Sequence, residues 1–200
     1  MKKIILTTAI VCSAFIMNLL AQTKTSIGLK LHCNLTNVQL SDIPGSDNSF
    51  KPGASLGGFT KIEFNENFAL QPELLISYTE KKFKLDTEKT RYKYASVEIP
   101  VYALGQIKAG SGKFFGGVGP HVGYGFSIDS ETEKIPDGFP GDNKLELDHW
   151  YMGGSAIAGY EFKFGMSVNA GYKMGFDVSS KNKTSGIKTQ TFSIGVGYRF

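Results

Sequence analysis

Ionisable side chains recur at alternate positions of this 200-residue chain, with apolar residues between them. In "MSVNAGYKMGFDV", Lys173 and Asp177 alternate with Tyr172, Met174 and Phe176. Successive side chains of a β-strand lie on opposite faces, so charges spaced by two residues collect on one side of a sheet. Enclosed in an interior, such groups could form either a proton-linked path or a set of ion pairs.

The polar face of the predicted strands also carries Lys30 and Glu63. We predict that seven further residues form a charge network: Lys61, Glu73, Glu98, Glu161, Lys173, Asp177 and Arg199. Lys61, Glu73 and Glu98 are expected to be closest in depth on adjacent strands, with Glu161 and Arg199 nearer one rim. Because an unpaired charge is costly in a narrow interior, a plug of salt bridges is favoured over a gated path.

The three histidines offer little support for catalysis. His32 and His149 are expected near the outer rim, and no serine or second carboxylate is fixed beside them. His121 falls among small residues, where a hydrogen-bonded interior histidine is commoner. No P-loop, CxxC or HExxH motif is present, and "PDGFPGDN" lacks the ligand order of an EF-hand. We predict no enzyme activity, no cofactor and no metal.

Period-2 alternation predicts eight strands and no long helix after residue 22. The predicted strands are 25–34, 53–64, 68–80, 92–105, 113–127, 149–162, 166–178 and 189–200. Long connections (35–52, 81–91, 128–148 and 179–188) alternate with short turns at 65–67, 108–112 and 163–165. This arrangement predicts an all-β fold, an eight-stranded antiparallel up-and-down transmembrane barrel with both ends of the chain at the short-turn, periplasmic side.

Two barrel types share this alternation. They differ in whether the polar face of the strands points outward to water or inward to the lumen. A secreted lipocalin-like binder needs a densely charged exterior, whereas a membrane barrel collects its polar residues inside. Here the less apolar face of the predicted strands consists mainly of glycine and serine with few charged residues, which favours the membrane barrel. From Trp150 to Tyr160 the sixth strand spans roughly 25 Å of membrane, the height of an apolar band between aromatic girdles.

The first residues, "MKKIILTTAIVCSAFIMNLLAQ", predict a signal peptide over 1–21 and a barrel domain over 22–200. Cleavage removes two lysines, so the net charge falls from +4 to +2, which does not indicate nucleic-acid binding. It also leaves Cys33 as the sole cysteine, so an intramolecular disulfide is not expected.

Three prolines, Pro72, Pro100 and Pro120, interrupt the predicted strands. Each removes a donor from the hydrogen-bond ladder, and a closed barrel has no edge on which to place it. We therefore expect β-bulges at these positions.

The connections carry opposite charges. The second (Lys81, Lys82, Lys84, Lys89, Arg91) and fourth (Lys181, Lys183, Lys188) are basic, whereas the third, 128–148, is acidic. Either a partner-binding surface or attraction between loops would explain this pattern. The candidate partner-binding residues are Asp129, Glu131, Glu133, Asp137, Asp142 and Glu146.

The segments "KPGASLGGFTKIEFNENFALQPELLISY", "YASVEIPVYALGQIK", "FFGGVGPHVGYGFS" and "FSIGVGYRF" together resemble the PorT-type outer-membrane β-barrel family. The resemblance implies a small barrel, similar to OmpA and OmpX, in the outer membrane of a Gram-negative bacterium. By the same resemblance, the last strand is an assembly signal for the barrel-insertion machinery. Its outward residues are Phe192, Ile194, Val196, Tyr198 and Phe200.

Function is expected to be structural or interactive: membrane integrity, adhesion, or an accessory place in a surface or secretion complex. We expect a monomer with a filled lumen, in contact with outer-membrane lipid and with an unknown surface or secretion partner. The alternatives are a soluble lipocalin-like binder and, less favoured, a lipid-modifying barrel enzyme.

Overall fold

A computed structural model describes residues 23–40, 50–85, 88–131, 149–177 and 187–200. The predicted signal peptide, half of the first long connection, and most of the third and fourth lie outside the described residues. Among the described residues, no helix is long and apolar enough to cross a membrane.

Eight antiparallel strands close into a barrel in which each strand pairs with its neighbours in sequence and β1 pairs with β8. The all-β barrel predicted from alternation is therefore confirmed. The strands are β1 (Lys24–Leu40), β2 (Lys51–Glu63), β3 (Phe68–Leu85), β4 (Glu88–Ala109), β5 (Gly112–Glu131), β6 (His149–Phe162), β7 (Met166–Asp177) and β8 (Ile187–Arg199).

The strands are strongly staggered. Following paired residues once around the ring from Thr25 returns to β1 at Leu35, ten residues further along the same strand. The path passes through Ile62, Leu70, Ala103, Val118, Ala156, Tyr172 and Phe192. A stagger of this size tilts eight strands by roughly 40° and leaves an interior just wide enough for side chains.

The two faces of the wall have opposite chemistry. Large apolar side chains such as Ile27, Leu74 and Ile194 are exposed on the outside, while Lys61, Glu73 and Gln106 are buried inside. Aromatic pairs mark both ends of the apolar band, with ring centroids 5.1 Å apart for Tyr124–Trp150 and 4.9 Å apart for Phe114–Tyr160. This distribution suits a membrane and is the reverse of a lipocalin-like barrel, which is not favoured.

We call the two ends of the barrel the turn end and the extension end. At the turn end, residues 64–67, Gly110–Ser111 and 163–165 connect strand pairs. Gly110 and Gly165 adopt φ values of +57° and +92°, a region that favours glycine. At the extension end, β1 to β5 and β8 are longer than predicted, β6 begins at the predicted residue, and β7 ends one residue earlier.

The prediction of a loop over 81–91 was wrong. β3 continues to Leu85 and β4 begins at Glu88, so the lysine-rich segment is a β-hairpin. We call residues 80–85 together with 88–93 the projecting hairpin. The dense charge suggested a loop, but an antiparallel pair above the membrane can place charged side chains in water on both faces. β1 likewise continues to Leu40, and β5 to Glu131.

The bulges expected at the prolines are also absent from the described strands. The strands pair in the same register on both sides of Pro72 and Pro100, although some residue pairs beside these prolines are missing. Pro120 pairs with Gly154. A proline can thus lose its ladder bond without an extra residue being inserted. The register shift that does occur lies between Lys93 and Tyr94, opposite β5.

Candidate functional site: the charged interior

The lower cluster of the interior, near the turn end, is a chain of five charged side chains. Lys61 Nζ lies 2.7 Å from Glu161 Oε2, and Arg199 Nη2 lies 2.7 Å from Glu161 Oε1. Arg199 Nη1 is also 3.6 Å from Glu63 Oε2, and Lys113 donates to Glu63 Oε1 at 2.8 Å. Because these residues lie on β2, β5, β6 and β8, the cluster joins opposite walls of the barrel.

The middle pair is Lys30 with Glu73. The Lys30 ammonium donates to Glu73 Oε1, which also accepts a hydrogen bond from Gln71 Nε2 at 2.7 Å. The same ammonium lies 5.3 Å from the centroid of the Phe59 ring, within the range of a cation–π contact. This lysine is therefore enclosed by an opposite charge and an aromatic face.

The upper pair is Lys173 with Glu98, closer to the extension end. Lys173 donates to Glu98 Oε2. The hydroxyls of Ser77 and Ser96 each donate to Glu98 Oε1 at 3.3 Å. Both carboxylate oxygens thus have hydrogen-bond partners, as expected of a buried charge.

Neutral polar side chains occupy the space between the charges. His32 Nε2 lies 2.9 Å from Asn169 Oδ1, and Asn34 donates to Ser55, whose hydroxyl lies 2.8 Å from Ser77 Oγ. His32 is buried in the interior and does not lie at the outer rim as expected. Its even position on β1 places it on the same face as Lys30 and Asn34.

Glycines on the inner face give room to these larger groups. A Cβ atom at Gly195 would lie 2.0 Å from the His32 ring, and one at Gly123 would lie 2.3 Å from the Tyr151 ring. His121 stacks edge-on to Tyr151 with ring centroids 6.2 Å apart. The interior is therefore filled by large residues packed against small ones.

Six of the seven residues of the predicted charge network have described side chains, and their contacts differ from the expected grouping. Lys61 pairs with Glu161 on the far wall and not with Glu73, the neighbour expected from adjacent strands. The stagger places Glu73 opposite Phe59, two residues further from the turn end than Lys61. Asp177 ends β7 opposite Tyr151, and its side chain lies outside the described part of the chain.

Lys113 was not predicted to join the charge network, and Lys30 and Glu63 were predicted on the polar face but outside the network. Lys113 is separated by even numbers of residues from buried Phe115 and inward Gly117, so alternation along the strand would have placed it on the inner face. Its position at the start of β5 made it resemble a turn residue.

Two of the six candidate partner-binding residues lie on a strand, and the other four lie outside the described residues. Asp129 and Glu131 belong to β5, opposite Lys93 and Arg91, and not to a loop. Glu133, Asp137, Asp142 and Glu146 lie outside the described residues, as do Lys181 and Lys183.

Chemically, the interior pairs its charges and gives them few free coordination positions. Among the described residues, no group of three His, Cys, Asp or Glu side chains is arranged to hold a metal ion. What the geometry does offer is cross-linking of the wall, because each cluster connects strands that are not neighbours in the sheet, such as β1 with β3 and β4 with β7.

Comparison with known proteins agrees with this architecture. Neisserial surface protein A has 12% sequence identity and a TM-score of 0.51, with 88% of this chain and 99% of that chain covered. OprG of Pseudomonas aeruginosa has 13% identity and a TM-score of 0.50, covering 88% and 95%. Ail of Yersinia pestis has 16% identity and a TM-score of 0.48, covering 88% and 99%.

At these identities the similarity to Neisserial surface protein A and to OprG shows the fold alone. No curated protein sequence matches the chain. The family model for the outer membrane protein beta-barrel domain, however, matches residues 6–200, nearly the whole chain. This chain therefore belongs to the outer membrane protein β-barrel domain family, and its location is the bacterial outer membrane.

Proposed function

We propose that this barrel is a closed membrane scaffold with a structural or interaction role, and neither a pore nor an enzyme. The observation that supports this most strongly is the lower cluster, in which Lys61, Glu161, Arg199, Glu63 and Lys113 connect four strands across the lumen. A solute would have to break these pairs to pass.

The buried histidines favour the same proposal. His32 is enclosed and bonded to Asn169, and His121 is enclosed beside Tyr151. Neither faces the lipid, where a lipid-modifying enzyme would need its catalytic groups. Replacing His32 and His149 by alanine should leave the lipid profile of the cells unchanged.

The PorT-type resemblance of the Gln71-Pro72-Glu73 and Glu98-Ile99-Pro100 segments supports the narrower proposal of an accessory in a surface or secretion complex. On this proposal the barrel is a monomer that anchors interaction surfaces at its extension end. Crosslinking from residue 137 in intact cells would capture the partner.

A liposome-swelling assay tests the closed scaffold. Liposomes containing the refolded barrel, placed in an isosmotic solution of a small sugar, should swell no faster than empty liposomes. A general porin serves as the positive control. Swelling that increases with the amount of barrel would contradict the proposal.

A further inference from the structure

We propose that the outer wall formed by β7, β8, β1, β2 and β3 binds one anionic, two-chain phospholipid from the leaflet at the turn end. The site lies on the lipid-facing side of the wall, so it is independent of whether the lumen is closed.

Two shallow grooves lie side by side on this wall. The outward-facing residues of the first groove, of about 360 Å³, are Ile27, Gly58, Thr60, Pro72 and Leu74. Those of the second, of about 290 Å³, are Leu29, Leu31, Leu56, Met166, Val196 and Tyr198. Leu29 pairs with Gly58, so the two grooves meet at the ladder between β1 and β2. Adjacent apolar grooves of this kind suit the two acyl chains of a single lipid.

The first groove has a local cause in the sequence. Gly58 lies between the outward residues Leu56 and Thr60 and has no side chain to fill the wall. A Cβ atom there would meet only the carbonyl oxygen of Gly28, at 3.5 Å, so packing within the wall does not require a glycine. A glycine inside a strand weakens the strand and often marks the close approach of a ligand.

Each groove has an exposed lysine on its side toward the turn end. Lys24 precedes Ile27 by three residues, and Lys163 precedes Met166 by three. Among the described side chains, neither lysine has an ion-pair partner. The carboxylate of Glu63, opposite Lys24 in the ladder, already belongs to the lower cluster.

Backbone hydrogen bonds bring both lysines to the same part of the rim. Gly165 O accepts from Arg199 N at 2.9 Å, and Ile27 O accepts from Phe200 N at 2.9 Å. The turn 163–165 and the start of β1 therefore flank the end of β8.

The height of the lysines selects a lipid head group as the anion. Three residues of a tilted strand span about 8 Å of the membrane normal. That distance below an acyl chain is within reach of the head-group layer, which is about 5–8 Å thick on each side. Two lysines without an acidic partner complement a phosphate there.

The proposal is tested by native mass spectrometry of the full barrel in micelles containing equal amounts of phosphatidylglycerol, which is anionic, and phosphatidylcholine, which is neutral overall. The barrel should retain one phosphatidylglycerol molecule preferentially. Lys24→Gln and Lys163→Gln should each lower the preference by about fivefold, given the contribution of a basic residue near an anionic surface. Lys108→Gln is the matched control, because Lys108 is exposed at the same end but bonded to Glu66, and it should retain the preference.

A second pair of variants tests the first groove separately. Gly58→Ile should fill the groove and lower the retention of phosphatidylglycerol. Gly154→Ile is its control, because Gly154 is an outward glycine of β6 with no atom within 4 Å of its Cβ position, and it should retain the lipid as the original chain does. Heat-modifiable migration on a gel verifies that each variant is folded.

Three results would overturn the proposal. They are equal retention of the two lipids by the original chain, an equal loss of preference in Lys108→Gln, and equal retention by Gly58→Ile and Gly154→Ile. The second result would reduce the effect to general attraction between a basic rim and an anionic surface.

Discussion

The interior of the barrel and the projecting hairpin use the same residue types in opposite ways. Inside, Lys61, Lys30 and Lys173 each contact a glutamate from another strand. On the hairpin, Lys84 faces Lys89 across the ladder. The wall of the membrane-spanning barrel thus encloses charges that neutralise one another, whereas the register of the hairpin places two lysines at paired positions.

The difference follows from access to water and to ions. In a filled lumen, a charge without a partner would keep the full cost of desolvation, so each must be paired within the chain. Above the membrane, water and counterions reduce that cost, and an unbalanced surface can be used to attract a partner. The cost of a lysine without an acidic partner therefore differs between the lumen and the water above the membrane.

Breaking a buried pair should have the largest effect. Lys61→Met leaves Glu161 with less compensation in the lumen, and we expect the free energy of unfolding to fall by about 3–5 kcal/mol. Urea titration of the refolded barrel in micelles measures this value.

The matched control for that variant is Lys108→Met. Lys108 also lies 2.7 Å from a glutamate, Glu66, but their side chains are 64% and 74% exposed, against 1% and 7% for Lys61 and Glu161. The exposed pair should contribute far less than the buried one, because water screens the attraction between its charges. Equal losses in the two variants would show that burial does not distinguish the two pairs.

Moving a lysine to the lipid side of the wall should have the next largest effect. Ile194 is in the middle of β8 and 68% exposed to lipid, so Ile194→Lys should cost about 2–4 kcal/mol in the same titration. Ile107 is 69% exposed but lies near the turn end of β4, where the same substitution should cost about 0–1 kcal/mol. A larger cost at Ile107 would contradict the position of the apolar band.

A double-mutant cycle on the middle pair sharpens the contrast further. Lys30→Met and Glu73→Gln each leave one buried charge without its partner, while the double variant leaves neither. We expect the double variant to lose about 1–3 kcal/mol less than the sum of the single losses. Strict additivity would indicate that the two groups do not interact.

The smallest effect concerns the turn end. The Lys108 ammonium hydrogen-bonds to the Glu66 carboxylate and holds its pKa below the ordinary value. Lys108→Met should raise that pKa, as an NMR titration of the Glu66 carboxyl would show. Because the folded pKa is the lower one, the contribution of this pair is present above the ordinary pKa of glutamate and lost as pH falls through the folded value.

Much of the fold could be predicted from the sequence because alternation is a local property. The seven apolar positions from Met166 to Val178 define a strand without reference to any other part of the chain. The extension end of β3 could not be predicted, since three of the four residues over 81–84 are lysines and only their pairing with β4 keeps them in a strand.

The interior was predicted in composition but not in pairing. The alternation of side chains along each strand is enough to assign Lys61 and Glu161 to the inner face. Their contact depends on the ten-residue stagger and on the width of the barrel, which bring β2 and β6 within reach of each other. No sequence pattern within one strand carries that information.

Single-channel recording in a planar bilayer tests most directly whether the lumen is closed by its own ion pairs. We expect no steady ion current from the original chain. A variant with Lys61, Glu161 and Arg199 replaced by serine should show current, because the lower cluster that crosses the lumen is removed. A steady current through the original chain, of the same size as that of the variant, would contradict the closed barrel.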